Sequence, residues 1–133
     1  MNPLPDDLEK GTLGEIFVQL KLLEYGLQAA PPIKDSGNDL IAIREDVFKA
    51  IQVKTTVKER FEFKANELPD KYHLLALVKL VGGDNKVDWT NSNIYLLPKD
   101  KVTKGYYTEE ELSNYCLSRN YLDEIFLRKK GPH

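Results

Sequence analysis

Residues 36–55 read SGNDLIAIREDVFKAIQVKT, and this stretch decides the fold. Residues 39–44, DLIAIR, form a short apolar run opened by an acid, behind the turn-forming Ser36, Gly37 and Asn38. Residues 44–47 make a brief reversal. Residues 48–55, FKAIQVKT, read as a second strand in which Gln52 and Lys54 alternate with Ile51 and Val53, so the whole predicts a β-hairpin. Because strand side chains alternate, Gln52 and Lys54 share one face. Asp39 stands near the far end of the paired strand, within reach across the hairpin.

Upstream, Leu13, Ile16, Phe17, Leu20 and Leu23 recur at three- and four-residue spacing, which predicts a helix over residues 8–25 packed on the sheet. It starts near Asp6 or Asp7, which can cap free N–H groups, and ends at Gly26. Gly11 and Gly14 weaken its interior, a sign that something packs closely there. Residues 27–33 are strand-like, but Pro31 and Pro32 confine them to a sheet edge. Residues 34–38 form a turn.

Downstream, residues 56–71 are mixed and charged, with at most a short helix near 66–69. Residues 72–81, YHLLALVKLV, are apolar almost without interruption, as in a strand covered on both faces. Gly82 to Asn85 make a turn, Trp89 sits in the connection after it, residues 94–97 form a strand, and Pro98 ends it. Thr108 and Glu111 have the spacing of a capping box. A C-terminal helix follows, with Leu112, Tyr115, Cys116, Leu122 and Phe126 on one stripe and a break near residues 118–120. The first connections are too short for crossover helices, so the expected architecture is an α/β sandwich with a mixed sheet.

The 133 residues predict a single domain over 1–133, large enough to bury roughly two thirds of its unfolded surface. Hydrophobic residues make up 41% and charged residues 30%, which excludes a disordered or fibrous chain. The longest apolar run, residues 74–78, is far below the roughly 20 residues of a membrane span. The first residues carry no basic-then-apolar stretch, so the expectation is a cytoplasmic protein without a signal peptide. One cysteine, Cys116, excludes an internal disulfide and a thiolate-rich zinc site. Two histidines, His73 and His133, argue against zinc hydrolases and most Ser-His or Cys-His mechanisms. The net charge of −2 leaves nucleic-acid binding to local charge placement. Lys54, Lys58, Arg60 and Lys64, then Lys99, Lys101 and Lys104, and finally residues 128–130 supply candidate phosphate contacts.

There is no phosphate-binding glycine loop, no GxSxG and no HExxH. What remains is Glu15, Asp39, Gln52 and Lys54. Singly, each has an ordinary reading: a solvated helix face, turn chemistry, or the wet side of a half-buried strand. His73 reads as a satisfied core histidine and Cys116 as a small helical core residue.

As a set, GTLGEIFVQLKLLEYGL, SGNDLIAI and FKAIQVKTT, over about residues 11–56, resemble the PD-(D/E)XK nuclease superfamily. The QVK tripeptide resembles the Gln-x-Lys variant of Mrr-type restriction enzymes. The GxxGE helix is similar to that group and to archaeal Holliday-junction resolvases. The resemblance implies a restriction-endonuclease-like α-β-β-β-(short α)-β-β-α sandwich and a metal-dependent DNA endonuclease. It implies Mg²⁺ or Mn²⁺ held by Asp39, Gln52, the Val53 carbonyl and, through water, Glu15. Lys54 would stabilise the attacking hydroxide or the pentacovalent phosphate. DNA is the implied partner, with no membrane and a homodimer able to cut two strands. Two features depart from the pattern: Asn38-Asp39 replaces the Pro-Asp pair, and the middle helix is shortened or absent. The alternative is a catalytically inactive module of the same fold that binds nucleic acid or a protein.

Overall fold

A computed structural model describes residues 7–32, 39–83 and 86–127. The expected 34–38 turn and the basic residues 128–130 lie outside them. The strands are β1 Gln28–Ala30, β2 Leu40–Arg44, β3 Val47–Thr56, β4 Arg60–Glu62, β5 Leu74–Gly83, β6 Lys86–Pro98 and β7 Tyr106–Thr108. Five of them form one sheet in the order β1-β2-β3-β5-β6, and β4 pairs with β7 in a separate ribbon. β2 and β3 are the expected antiparallel hairpin, with Leu40 opposite Ile51 and Arg44 opposite Val47. β3 and β5 run parallel and β5 and β6 antiparallel, so the sheet is mixed. The parallel connection carries β4 and a 3₁₀ turn at Ala65–Glu67 in place of a crossover helix.

β5 is buried on both faces, as its apolar run requires. Leu74, Ala76, Val78 and Leu80 pack with Phe17, Val18 and Leu22 of helix α1 (Asp7–Glu24) and Leu122 of helix α2 (Arg119–Ile125). Leu75 and Leu77 pack on the other face with Phe61 and Tyr107 of the ribbon and with Leu112. Burying each such side chain stabilises the fold by about 1.5–3 kcal/mol. Two helices therefore cover one face and the ribbon covers part of the other. An Arg44–Asp123 ion pair at 2.6 Å links β2 to α2.

The side of α1 that meets the sheet differs from the expected stripe. Phe17, Val18 and Leu22 are buried, whereas Ile16, Leu20 and Leu23 are 53%, 52% and 61% exposed. The apolar residues crowd the second half of the helix, where residues 16–23 read IFVQLKLL and point in nearly every direction, so periodicity alone did not select a face. Gly14 selected it: a Cβ there would lie 1.9 Å from Thr55 Oγ1 on β3. No such approach exists at Gly11. The end of α1 is as expected. Gly26 has φ +86°, and the bonds Leu27 N to Leu22 O and Gly26 N to Leu23 O close a left-handed cap.

β6 is longer than its sequence suggests and includes Trp89, so that residue is not in a connection. Polar Asp88, Asn91 and Asn93 hide the strand pattern. A register irregularity between Lys79 and Val81 is filled by Ser92, whose Oγ accepts from Val81 N and donates to Asp88 O.

The expected long C-terminal helix is replaced by β7, turns, a 3₁₀ turn at Ser113–Tyr115 and the short α2. The capping-box bonds do form: Glu111 N donates to Thr108 Oγ1 and Thr108 N to Glu111 Oε1. They close a turn, because the chain beyond is drawn to the β6 edge. Leu117 N donates to Ile94 O, and Cys116 bridges to Tyr95. Cys116 is accordingly exposed and outside any helix. Ser118 Oγ accepts from Tyr121 N and caps α2, at the expected break.

Candidate active site

Strand alternation divides β3 between the two faces of the sheet. Ile51 and Val53 belong to the α1-side core, and Thr55 meets α1 at Gly14. Gln52 and Lys54 therefore point to the opposite face, in register with Leu75 and Leu77 beside the ribbon. On β2, Leu40 is on the core side, so Asp39, one residue earlier, faces the same way as Gln52. Asp39 N donates to Ile51 O at 3.2 Å, which continues the hairpin ladder to this residue.

Asp39 is the hub of the site. Its Oδ2 accepts from Val53 N at 2.7 Å and from Gln52 Nε2 at 2.9 Å. Burial raises the Asp39 carboxyl above its ordinary range, while the Val53 N–H and the Lys54 charge pull it down. Burial likewise raises the Glu15 carboxyl, and the negative charge of Asp39 raises it further. Glu15 thus reaches Asp39 electrostatically although it comes from α1. The structure brings all four predicted side chains into one electrostatic neighbourhood. Val53 enters through its N–H, a donor that side-chain reasoning does not reveal.

The donor set can be weighed against a cation. Gln52 Oε1 is buried and has no hydrogen-bond partner among the described residues, so it is an acceptor open to a further donor or a cation. Two carboxylates raised by burial, with a neutral amide oxygen beside them, would be relieved by positive charge. Among the described residues no group of three or more His, Cys, Asp or Glu side chains could hold a metal ion. The set therefore does not fit a closed zinc or calcium cage. It fits a hard divalent ion that keeps several waters, such as Mg²⁺ or Mn²⁺.

Of the expected basic rim, Arg60, Lys64 and Lys104 are each paired, with Glu62, Glu67 and Glu111. Their charge is partly neutralised within the protein. His73 is satisfied, as expected, but at the surface and not in the core: its Nδ1 accepts from Ala50 N at 2.9 Å. It lies apart from Asp39 and takes no part in this site. Among the described residues, no helix is long and apolar enough to cross a membrane.

No protein-family model and no curated protein matches the chain. Solved structures do. The bacterial homing endonuclease I-Ssp6803I aligns over 90% of this chain and 91% of its own, with a TM-score of 0.66 and 14% identity. The Holliday junction resolvase Hjc of Archaeoglobus fulgidus aligns over 90% of this chain and 99% of its own, with a TM-score of 0.61 and 17% identity. The fold is restriction-endonuclease-like, in agreement with the sequence reading.

Proposed function

We propose that this protein is a metal-dependent DNA endonuclease with a Gln-x-Lys site. The observation that carries the reading is the Asp39 cluster, with a Gln52 Oε1 that has no partner among the described residues and both carboxylates raised by burial. Fold likeness to two nucleases adds weight, although fold alone does not assign chemistry.

Asp39, Gln52 Oε1, the Val53 carbonyl and Glu15 would hold Mg²⁺ or Mn²⁺. When bound, the ion neutralises phosphate charge and makes a water more acidic. In hydrolysis a water oxygen bonds to phosphorus, one ester P–O bond breaks, and the leaving oxygen takes up a proton. The Val53 N–H holds Asp39 in place, and the Gln52 amide fixes its orientation. Lys54 is the nearby cation, and its role is to stabilise charge developing on the phosphoryl oxygens.

The test is incubation of the protein with linear, branched and single-stranded DNA in Mg²⁺ or Mn²⁺, beside Lys54→Gln. The expected result is cleavage by the wild type and about 100-fold slower turnover by the variant, with DNA affinity nearly unchanged. Absence of cleavage on all three substrates would favour the non-catalytic binding module.

A homodimer belongs to this reading, because two scissile strands call for two sites. Ile43 and Phe48 are cross-strand neighbours on the open sheet face that also carries Asp39 and Gln52. Phe48 is 60% exposed, and a second copy placed there would bring two sites close together. Light scattering should show a dimer that Phe48→Glu converts to monomer. A monomeric wild type at high concentration with DNA present would remove the dimer.

A further inference from the structure

A mixed polar and apolar cleft lies at the opposite end of β3 from Lys54. β3 and β5 run parallel, so their N-terminal ends stand side by side, and an open cleft of about 850 Å³ forms there. Leu74, Pro98 and Ile125 supply apolar lining, and Lys49, His73 and Lys99 supply polar lining. Lys49 precedes Lys54 by five residues, roughly 16 Å along the strand. It also alternates with Gln52 and Lys54, so it belongs to the other face of the sheet. The cleft is thus distinct from the Asp39 site.

His73 is held there in one tautomer. Its backbone N–H donates to Ala50 O, and its ring Nδ1 accepts from Ala50 N, both at 2.9 Å. The ring stands in for a strand carbonyl and extends the parallel ladder. An accepting Nδ1 is unprotonated, so the proton of the neutral ring is on Nε2. Among the described residues no acceptor takes that proton. Burial and the charges of Lys49 and Lys99 hold the imidazole below its ordinary range, so both ammonium groups act on the same ring. Lys99 is positioned by its Nζ, which donates to Asp70 O and lies 5.1 Å from the Tyr72 ring centroid. Asp100 also lines the cleft and offsets one of the two lysine charges.

We propose that this cleft binds a phosphate group, with Lys49 and Lys99 supplying charge and His73 Nε2–H a directional donor. A tetrahedral anion can accept from donors in several directions, which suits a site with three donors on different elements. The apolar lining would receive the organic part of a phosphate ester. The phosphate comes either from a nucleic-acid strand or from a free nucleotide or pyrophosphate. Neither source requires cleavage at Asp39.

The test uses the full chain in EDTA, so that no divalent ion and no hydrolysis contribute. Inorganic pyrophosphate, a 5′-phosphorylated oligonucleotide and its unphosphorylated counterpart are titrated while the His73 ring resonances are followed. The expected result is a saturable shift with pyrophosphate or an oligonucleotide, weakened about tenfold in Lys49→Gln. Circular dichroism checks that the variant is folded. Binding of pyrophosphate alone assigns a free phosphate ligand. Tighter binding of the phosphorylated strand assigns a terminal phosphate, and equal binding of both strands assigns the backbone. No saturable shift with any probe, or wild-type affinity in a folded Lys49→Gln, overturns the proposal.

Discussion

Asp39→Asn abolishes metal-dependent cleavage and at the same time stabilises the metal-free protein. Both effects follow from one carboxylate. Asp39 and Glu15 are raised above their ordinary range mainly by burial, and Asp39 raises Glu15 further. A carboxyl with a raised folded pKa contributes stability below its unfolded pKa of about 4, and that stability is lost as pH rises through the folded value. Wild-type Tm without metal should therefore fall as pH rises from 4 toward neutrality. The asparagine amide keeps an oxygen for the Val53 N–H but carries no charge, so this variant should show a flatter profile and a higher Tm at pH 7.

Adding Mn²⁺ reverses the order. At 100 times its Kd, an ion that binds only the folded state adds about 2.7 kcal/mol. That gain should appear in the wild type and vanish in Asp39→Asn, together with a roughly thousandfold or greater loss of cleavage. Gln52→Glu should behave oppositely. It replaces the Nε2 donor to Asp39 with a like charge, so the metal-free protein loses stability and the Mn²⁺ shift grows. Thermal melts at several pH values, with and without Mn²⁺, check all of this. An Asp39→Asn protein that still gains stability from Mn²⁺ would place the ion elsewhere.

Gly14→Ala should destabilise the protein even though alanine is the better helix former. The new Cβ would meet Thr55 Oγ1 at 1.9 Å, with Thr55 Cβ and Cγ2 at 3.0 and 3.1 Å. Rotating the β-branched Thr55 side chain exchanges one clash for another. Overpacking of this kind costs about 1–3 kcal/mol, against about 1 kcal/mol of helix propensity regained. Lifting α1 also moves Glu15 relative to Asp39, so activity should fall with stability. Thr55→Ala makes room and removes a buried hydroxyl that has no partner among the described residues. The double variant Gly14→Ala/Thr55→Ala should recover most of the loss, a coupling of at least about 1 kcal/mol or about 3 °C in Tm. Gly11→Ala is the control, since among the described residues nothing lies within 4 Å of its Cβ position. Simple additivity of the two substitutions would show that Gly14 and Thr55 are not in close contact.

The hairpin of β2 and β3, the central β5, the left-handed cap at Gly26 and the side-by-side placement of Gln52 and Lys54 were legible in the sequence. Each rests on local physics: strand alternation, an apolar run, a glycine at a positive φ. The candidate site was legible for the same reason, because Asp39 lies just ahead of β2 and Gln52 lies on β3, two strands joined by the short turn at Glu45 and Asp46. The sequence also marked Gly14 as a point of close packing, but not what it would meet.

Only the tertiary structure decided the rest. The face of α1 was set by the backbone approach of Gly14 to Thr55, where the crowded apolar residues 16–23 offered no single preference of their own. The capping box at Thr108 formed its bonds without starting a long helix, because the free edge of β6 competed for the backbone of Cys116 and Leu117. β6 itself extended through polar residues because β5 was there to pair with it and Ser92 could repair the irregular register. Joining Glu15 to Asp39, and His73 to Ala50, required elements distant in the chain to meet. Local pattern determines what a segment can form. Burial and long-range pairing of backbone groups determine which of those options is lowest in free energy.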